Sequence, residues 1–278
     1  MEADEGLSAM TVERDTSEVP DYAAMLRLDG TVQVVLGAGF GIGRQAAHAL
    51  AAAGATVVCV DLDPERAADV AAEVGGAPWS GDLTQRDDVA ALFDRVIADH
   101  GRLDGVVDIV GAARYKALTD LTDDDWAFHL DLVLRHAWLA IEHATRLWRT
   151  HGGGGTITFV ASVAGLTSAP MTAAYGALKA ALMSLVRTSA VELGPEGIRV
   201  NAVAPGVVRT PRQVANPRWT QDLLDSNIAK TPLRRLATPA DVASALLFLS
   251  TPLSAYVTGQ TLVVDGGATI VYSVDTPG

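Results

Sequence analysis

The stretch Gly37-Ala38-Gly39-Phe40-Gly41-Ile42-Gly43 decides the fold that this sequence predicts. A short β-branched run at residues 32–36 precedes it, and an alanine-rich helical pattern at residues 42–53 follows it. Glycines between a strand and a helix permit a tight turn. They also let a pyrophosphate approach the backbone N–H groups at the helix N-terminus. The sequence therefore predicts a dinucleotide-binding βα unit, with a purely structural turn as the alternative.

The same alternation of strand and helix continues along the chain. Apolar runs at residues 56–60, 106–110 and 157–160 alternate with amphipathic helical segments, of which residues 64–74 are one. Strands that are apolar throughout belong to parallel sheets covered on both faces, and their crossovers are right-handed. We therefore expect an α/β protein: a single-domain, Rossmann-type, doubly wound parallel sheet with helices on both faces.

Composition excludes several classes of protein. The chain has 278 residues, of which 49% are hydrophobic and 19% charged, which is not a disordered composition. Its net charge of −12 disfavours nucleic acid and anionic membrane partners, and half of that charge lies in residues 1–30. The single cysteine, Cys59, cannot form an internal disulfide and is expected to be a small buried residue. With no apolar segment long enough to span a bilayer and no signal-like N-terminus, we expect a cytoplasmic protein.

An acidic residue follows the second apolar run and indicates the cofactor. Asp61 lies 18 residues after Gly43, where a carboxylate can accept hydrogen bonds from both hydroxyls of an adenosine ribose. The same carboxylate would repel a 2′-phosphate. No Lys or Arg lies in the glycine loop, and Leu62 follows the acid. The sequence therefore favours NAD over NADP. An NADP-dependent reductase, in which Asp61 moves aside, is the alternative.

Three residues predict acid–base chemistry on an alcohol or a carbonyl. Tyr175 and Lys179 are four residues apart on a strongly helical run, so they share one face. An ammonium beside a phenol lowers the pKa of the phenol and suits it to exchange a proton with an alcohol. Ser162 follows the 157–160 strand, at the sheet edge where ligands bind. An ordinary exposed Tyr–Lys pair is the alternative.

Together these features resemble a classical short-chain dehydrogenase/reductase over residues 28–270. The matching motifs are Gly37-x-x-x-Gly41-Ile42-Gly43, Asp61, Asp82-Leu83, Ser162, Tyr175-x-x-x-Lys179, Asn201-Ala202-Val203-Ala204-Pro205-Gly206 and Gly259-Gln260-Thr261-Leu262-Val263-Val264-Asp265-Gly266-Gly267. The resemblance implies an NAD(P)-dependent alcohol dehydrogenase or ketone reductase. By this resemblance Tyr175 is the acid/base and Ser162 orients the reacting oxygen. Lys179 lowers the pKa of Tyr175 and binds the nicotinamide ribose. Three residues between Tyr and Lys favour carbonyl chemistry over the enoyl reductases of the family.

The resemblance also implies the cofactor site and the organisation of the chain. The implied cofactor contacts are Gly37, Gly39, Phe40, Gly41, Ile42, Gly43, Asp61, Leu62, Asp82, Leu83, Asp108, Val110, Gly111, Tyr175, Lys179, Pro205, Gly206, Val208 and Thr210. Residues 1–27 are expected to form a mobile acidic extension, with a hydrophobic dock near residues 22–26. Residues 28–270 would form the catalytic domain, with a substrate lid at 207–235, and residues 271–278 a tail. A homodimer or homotetramer is expected.

The sequence departs from the family pattern in three places: at Leu36, in the segment Asp108-Ile109-Val110-Gly111, and at Val133. Leu36 and Ile109 replace polar residues that are neighbours in the family, so we expect them to pack on each other. Asp108 is expected still to accept a hydrogen bond from an adenosine ribose. Val133 replaces an asparagine that helps to place a proton-relay water. Its side chain cannot hold that water, so we expect an active enzyme in which the backbone carbonyl of residue 133 holds it. These departures keep open a second hypothesis, a catalytically weak dinucleotide-binding regulator.

Two further groups of residues bear on ligands. His129, His136 and His143 recur every seven positions, but seven helical residues rise about 10.5 Å, too far for one zinc ion whose ligands lie at about 2.1 Å. We therefore expect no metal and interpret these residues as a helix face that is exposed or packed on another subunit, with Trp138 and Trp148 in the core or an interface.

The segments expected to frame the substrate are mostly apolar and favour an alicyclic, aromatic, terpenoid or steroid-like alcohol. Their apolar residues are Val163, Leu166, Pro170, Met171, Val207, Trp219, Leu223 and Ile228. Arginines also occur there, either as solvated charges or as partners for a substrate anion: Arg114, Arg209, Arg212 and Arg218. Docking of an acidic carrier protein is disfavoured, because Val191 stands where the ketoacyl reductases of the family carry a basic residue.

Overall fold

The computed structural model describes residues 15–271, which form one α/β domain. Its sheet has seven parallel strands in the order β3-β2-β1-β4-β5-β6-β7. The strands are β1 (Val32–Leu36), β2 (Thr56–Asp61), β3 (Ala77–Ser80), β4 (Gly105–Asp108), β5 (Thr156–Val160), β6 (Arg199–Pro205) and β7 (Thr261–Val264). This confirms the predicted fold class.

Helices cover both faces of the sheet. They are α1 (Ile42–Ala52), α2 (Pro64–Val74), α3 (Arg86–His100), α4 (Asp123–His129), α5 (His136–His151), α6 (Ala173–Leu193), α7 (Pro211–Val214), α8 (Gln221–Lys230) and α9 (Pro239–Ser250), and a π-helical turn, Leu130–Arg135, joins α4 to α5. The strand order reverses between β1 and β4. In open sheets of this kind the ligand crevice lies at that switch point, beyond the carboxyl ends of the strands.

Strand β4 is shorter than the sequence predicts. It ends at Asp108 instead of Val110, because the Val110 N–H donates to Asp108 Oδ1 (2.9 Å) and the chain turns out of the sheet there. Residues 109–111 therefore belong to the loop at the crevice.

The core is divided by the sheet into two clusters. One contains residues of α3, α5 and α6 and the other contains residues of α1, α2 and α9. Cys59 is fully buried in the second cluster, as predicted. Leu36 belongs to the first cluster and Ile109 to the second, so the expectation that they pack on each other is wrong. Alternate residues of a strand point to opposite faces, and it is Val110 that joins the cluster of Leu36.

The folded body begins at Leu28, which is buried and whose N–H donates to Ala53 O (2.8 Å). Before it, Ala24–Leu26 form one 3-10 turn that contacts the 3-10 turn Pro252–Ser254. Met25 is partly buried and Tyr22 is exposed, so the expected hydrophobic dock involves the turn and not Tyr22. Residues 1–14 of the extension and 272–278 of the tail lie outside the described residues. Within residues 15–271, no helix has the length and apolar character needed to cross a membrane.

Candidate active site

The glycine loop joins β1 to α1 and packs closely against the start of the helix. Gly37 and Gly41 have φ angles of +83° and +62°, which residues with a Cβ adopt rarely. A Cβ on Gly43 would overlap the Gly37 carbonyl oxygen, because the helix packs directly on the turn. The loop therefore brings bare backbone to the crevice, as pyrophosphate binding requires.

Asp61 lies beside this loop at the end of β2. Its Oδ2 accepts a hydrogen bond from the Gly39 N–H (3.0 Å), and its Oδ1 accepts one from the Asp63 N–H (3.1 Å). A Cβ on Gly39 would lie 2.6 Å from Oδ2, so the glycine makes room for the carboxylate. The side chain is partly exposed, and oxygen lone pairs remain for a ligand. These contacts fit the adenosine end of a dinucleotide.

The other predicted cofactor residues gather at the same sheet edge. Pro205 ends β6, and the Gly206 N–H donates to Val264 O (3.1 Å). Val208 is buried, and the Thr210 hydroxyl caps α7. Thr210 Cβ and Cγ2 each lie 3.7 Å from the Cβ position of Gly41. On the far side Leu83 is buried, while Asp82 Oδ1 accepts hydrogen bonds from both the N–H and the hydroxyl of Thr84. A crevice lined by glycine backbone and by the partly exposed Asp61 and Asp82 fits a dinucleotide.

Ser162, Tyr175 and Lys179 meet beyond the carboxyl end of β5. Ser162 follows that strand, and its Oγ accepts a hydrogen bond from the Ala164 N–H (3.1 Å). Tyr175 lies in the first turn of α6, with the Lys179 Nζ 5.8 Å from the centre of its ring. The Nζ also donates to Val160 O (2.6 Å). The predicted trio is therefore assembled on one strand end and one helix face.

Burial shifts the pKa of two members of this trio. It raises the pKa of Tyr175 to about 12, against the effects of the Ser162 hydroxyl and the Arg212 charge. It lowers the pKa of Lys179 to about 8, with the Asp108 carboxylate acting in the opposite direction. Lys179 is not among the causes of the Tyr175 shift, so its lowering of the pKa of Tyr175 stays a prediction. Both groups lie in an apolar site that favours their neutral forms.

Comparisons with known proteins agree with this geometry. A family model described as enoyl-(acyl carrier protein) reductase matches residues 37–269. The 3-oxoacyl-[acyl-carrier-protein] reductase FabG of Thermotoga maritima is 32% identical over 253 residues, covering 88% of this chain and all of the relative. The chain belongs to the short-chain dehydrogenase/reductase family.

Two further members resemble this short-chain dehydrogenase/reductase. The cis-4-hydroxycyclohexanecarboxylate dehydrogenase of Sinomonas cyclohexanicum is 39% identical over 246 residues, covering 86% of this chain and 97% of the relative. The solved structure of a 7α-hydroxysteroid dehydrogenase, in complex with NADH and 7-oxo glycochenodeoxycholic acid, superposes with a TM-score of 0.82 at 33% identity. It covers 89% of this chain and 98% of the other.

Asp108 does not act as the sequence predicts. Its side chain is buried, and Oδ1 lies 3.2 Å from His136 Nε2 and accepts a hydrogen bond from the Val110 N–H. The carboxylate therefore points into the protein and not toward a ribose. Val133 is fully buried in the π-helical turn, as an apolar side chain at that position requires.

The histidine stripe is buried within the chain, so its interpretation as an exposed or intersubunit face is wrong for two of its three members. His129 is fully buried, with Nδ1 2.7 Å from Asp125 O and Nε2 accepting a hydrogen bond from the Arg114 N–H (3.0 Å). His136 is buried against Asp108. His143 stacks on Phe93 with ring centres 6.3 Å apart.

The two tryptophans of α5 fit the expected core or interface positions. Trp148 is buried and donates to Leu103 O, while Trp138 is half-exposed beneath Arg86. Across the described part of the chain, no group of three or more His, Cys, Asp or Glu side chains could hold a metal ion.

The expected lid is attached to the crevice by arginines. Arg212 Nη1 donates to Gly111 O (3.0 Å), and Arg218 Nη1 donates to Tyr115 O (3.1 Å). Arg114 lies over the Phe128 ring (3.7 Å) and pairs with Asp125. Helices α7 and α8 contain no buried residue, and of the expected pocket residues Leu166, Met171 and Leu223 are exposed.

Sequence reasoning missed two residues beside the trio. Tyr115 contributes to the raised pKa of Tyr175, and burial raises the pKa of Tyr115 itself. The heptad spacing of the histidines does not link His136 to Asp108, which lies 28 residues earlier. The sequence does contain a signal for a buried partner: Asp108 is an acid at a position where the family has an asparagine.

Proposed function

We propose that this oxidoreductase transfers a hydride between NAD and a secondary alcohol or its ketone. The proposal depends on one observation, the assembly of Ser162, Tyr175 and Lys179 at the carboxyl edge of the sheet. Bound NAD supplies the hydride acceptor. In this chain Ser162 holds the substrate oxygen and Tyr175 takes the hydroxyl proton. Lys179 stabilises the phenolate and binds the cofactor ribose.

Asp61 supports NAD as the cofactor in this proposal. Its carboxylate beside the Gly39 N–H suits two ribose hydroxyls and repels a 2′-phosphate. A cation near Asp61 could favour a 2′-phosphate, and Arg66 is one such residue. Its guanidinium lies 5.1 Å from the centre of the Phe40 ring and already pairs with Asp63. NAD is therefore favoured, and an NADP-dependent carbonyl reductase is the alternative.

The substrate is proposed to be a largely apolar alicyclic alcohol. The names of two relatives support this choice: one acts on a hydroxycyclohexanecarboxylate and one on a hydroxysteroid. Aromatic and terpenoid alcohols stay within the prediction. An acyl chain on a carrier protein is disfavoured despite the similarity to FabG, because Val191 is exposed where a basic contact would serve and the chain carries a net charge of −12.

A homodimer or homotetramer in the cytoplasm completes the proposal. Trp126, Leu130 and Trp138 are each more than 40% exposed along α4, the π-helical turn and α5, which suits a subunit interface. The second hypothesis, a dinucleotide-binding regulator with weak activity, draws its support from Asp108 and Val133. It predicts binding of NAD without turnover.

The deciding experiment is a panel of alcohols and ketones assayed with NAD and NADP at the absorbance of the reduced nicotinamide. Tyr175→Phe should lower kcat by about 10²–10⁴-fold, because it removes the proton acceptor. Tyr256→Phe is the matched control, since Tyr256 is fully exposed and remote from the crevice. Unchanged turnover in Tyr175→Phe would refute the mechanism. NAD binding without turnover across the panel would favour the regulator.

A further inference from the structure

Two side chains of opposite charge type are buried behind the predicted catalytic lysine. Asp108 and His136 are each 2% exposed. His136 Nε2 lies 3.2 Å from Asp108 Oδ1 and 3.1 Å from Oδ2, and His136 Nδ1 lies 3.3 Å from Asp131 O. Both ring nitrogens therefore face oxygen acceptors. An imidazolium donates a hydrogen bond to both acceptors. A neutral ring beside a carboxylate donates to only one of them, and the lone pair of its other nitrogen faces the second oxygen.

The π-helical turn creates this arrangement. Asp131 O accepts the backbone N–H of His136, five residues later, and lies near the Nδ1 of the same residue. The wider turn directs the imidazole from the start of α5 toward the end of β4. Such π-helical turns occur often at functional sites.

The pair lies close to Lys179. Strands β4 and β5 pair Asp108 with Phe159, and the Lys179 Nζ donates to the next residue, Val160 (2.6 Å). The Cβ position of Gly111, three residues after Asp108, is 3.4 Å from the same Nζ. The Asp108 charge opposes the fall in the pKa of Lys179 that burial causes. Val133, apolar and fully buried, has no side-chain atom that could accept a hydrogen bond.

We propose that Asp108 and His136 form a buried ion pair whose carboxylate holds the Lys179 ammonium in its charged form. His136 keeps Asp108 ionised, and Asp108 stabilises the lysine. Both are positioning residues that act on the substrate through Lys179, a consequence that depends on the proposed dehydrogenase function. A neutral Asp108 that donates its proton to a neutral His136 would satisfy the same distances and leave Lys179 without an anion, so the charge of the pair is the quantity to test.

Other titratable and charged groups surround these three residues on the elements packed against them: Tyr115, His129, Asp131, Arg135, Tyr175 and Arg212. His129 is held by Asp125 O and the Arg114 N–H, Arg135 donates to Thr84 O, and Arg212 donates to Gly111 O. Within residues 15–271, Asp108 is the group whose charge raises the pKa of Lys179.

Lysine NMR tests the proposal without substrate or cofactor. The chain has three lysines, Lys116, Lys179 and Lys230, so ¹³Cε-labelled lysine gives three signals, assigned with Lys116→Arg and Lys230→Arg. Asp108→Asn keeps the shape of the side chain and removes its charge. The pKa of Lys179 should then fall by about one unit or more. The control is Asp104→Asn, which changes an acid at the other end of β4 and should leave the Lys179 titration unchanged.

Histidine NMR tests the other half of the pair. With ¹⁵N-labelled histidine, both ring nitrogens of His136 should carry protons at pH 7, the signal being assigned with His136→Gln. Should Asp108→Asn not fold, the neutral double variant Asp108→Asn with His136→Gln replaces it, and the same fall in the pKa of Lys179 is expected.

Two results would overturn the ion pair: an unprotonated His136 Nε2 in the wild-type protein, or an unchanged Lys179 titration in a folded Asp108 variant. These readouts are independent of the alcohol panel, so an inactive protein would refute the proposed function and still test the pair. In an active protein, Asp108→Asn should also move the pH profile of kcat, and Asp104→Asn should not.

Discussion

Two aspartates end strands on either side of β1, at the same edge of the sheet, and their surroundings differ completely. Asp61 ends β2, is partly exposed and accepts hydrogen bonds from backbone N–H groups. Asp108 ends β4, is buried and lies against an imidazole. Backbone donors orient a carboxylate and leave lone pairs free for a ligand, whereas a buried imidazole commits the carboxylate to the protein interior. The strand determines where an acid lies, and the neighbouring elements determine what it can do.

The largest effect expected from this difference is the loss of protein stability when His136 is replaced. His136→Ala leaves the buried Asp108 without its partner, and breaking a buried pair in this way costs about 3–5 kcal/mol. Urea denaturation monitored by circular dichroism measures the free energy of unfolding. The matched control is His48→Ala, which removes an exposed histidine paired with Glu73 and should change the stability little. Equal losses in the two variants would contradict a buried ion pair at Asp108.

The second effect is a pH dependence of stability that comes from Lys179. Burial lowers its pKa from 10.5 to about 8, so between these values the unfolded chain binds more protons than the folded one. The free energy of unfolding contributed by Lys179 therefore rises with pH, by about 3 kcal/mol between roughly pH 8 and 10.5.

Urea denaturation of the wild-type protein and of Lys179→Met over this range isolates the contribution, because other titrating groups cancel in the difference. In Asp108→Asn the rise should begin at lower pH. Parallel curves for the wild-type protein and Lys179→Met would show that folding does not lower the pKa of Lys179.

The same contrast explains what the sequence could predict. The glycine loop, Asp61, Ser162 and the Tyr175–Lys179 pair depend on local spacing next to a strand or helix, and the structure brings them to one edge. The Asp108–His136 pair joins residues 28 positions apart, and its geometry depends on a π-helical turn that a helical period does not reveal. The pKa of Tyr175 likewise depends on burial by elements distant in sequence, an effect that the i, i+4 spacing does not reveal.

The smallest effect on stability, and the most specific on function, is expected at Asp61. Asp61→Ala removes the acceptor of two backbone N–H groups, those of Gly39 and Asp63. Because both groups are partly solvated, the loss should cost about 1 kcal/mol of stability. Loss of the carboxylate removes the hydrogen bonds to the ribose and the repulsion of a 2′-phosphate. The ratio of kcat/KM for NAD to that for NADP should therefore fall about tenfold or more, which corresponds to roughly 1.4 kcal/mol.

Asp63→Ala is the matched control, because Asp63 caps α2 two residues later. It should cost a similar free energy of unfolding, about 1 kcal/mol, and leave the cofactor ratio unchanged. A ratio that moves equally in both variants would assign the effect to the turn and not to the Asp61 carboxylate. A ratio that moves in Asp61→Ala alone, with the Lys179 titration unaffected, would show that the two aspartates at this edge act independently, one on the cofactor and one on the lysine.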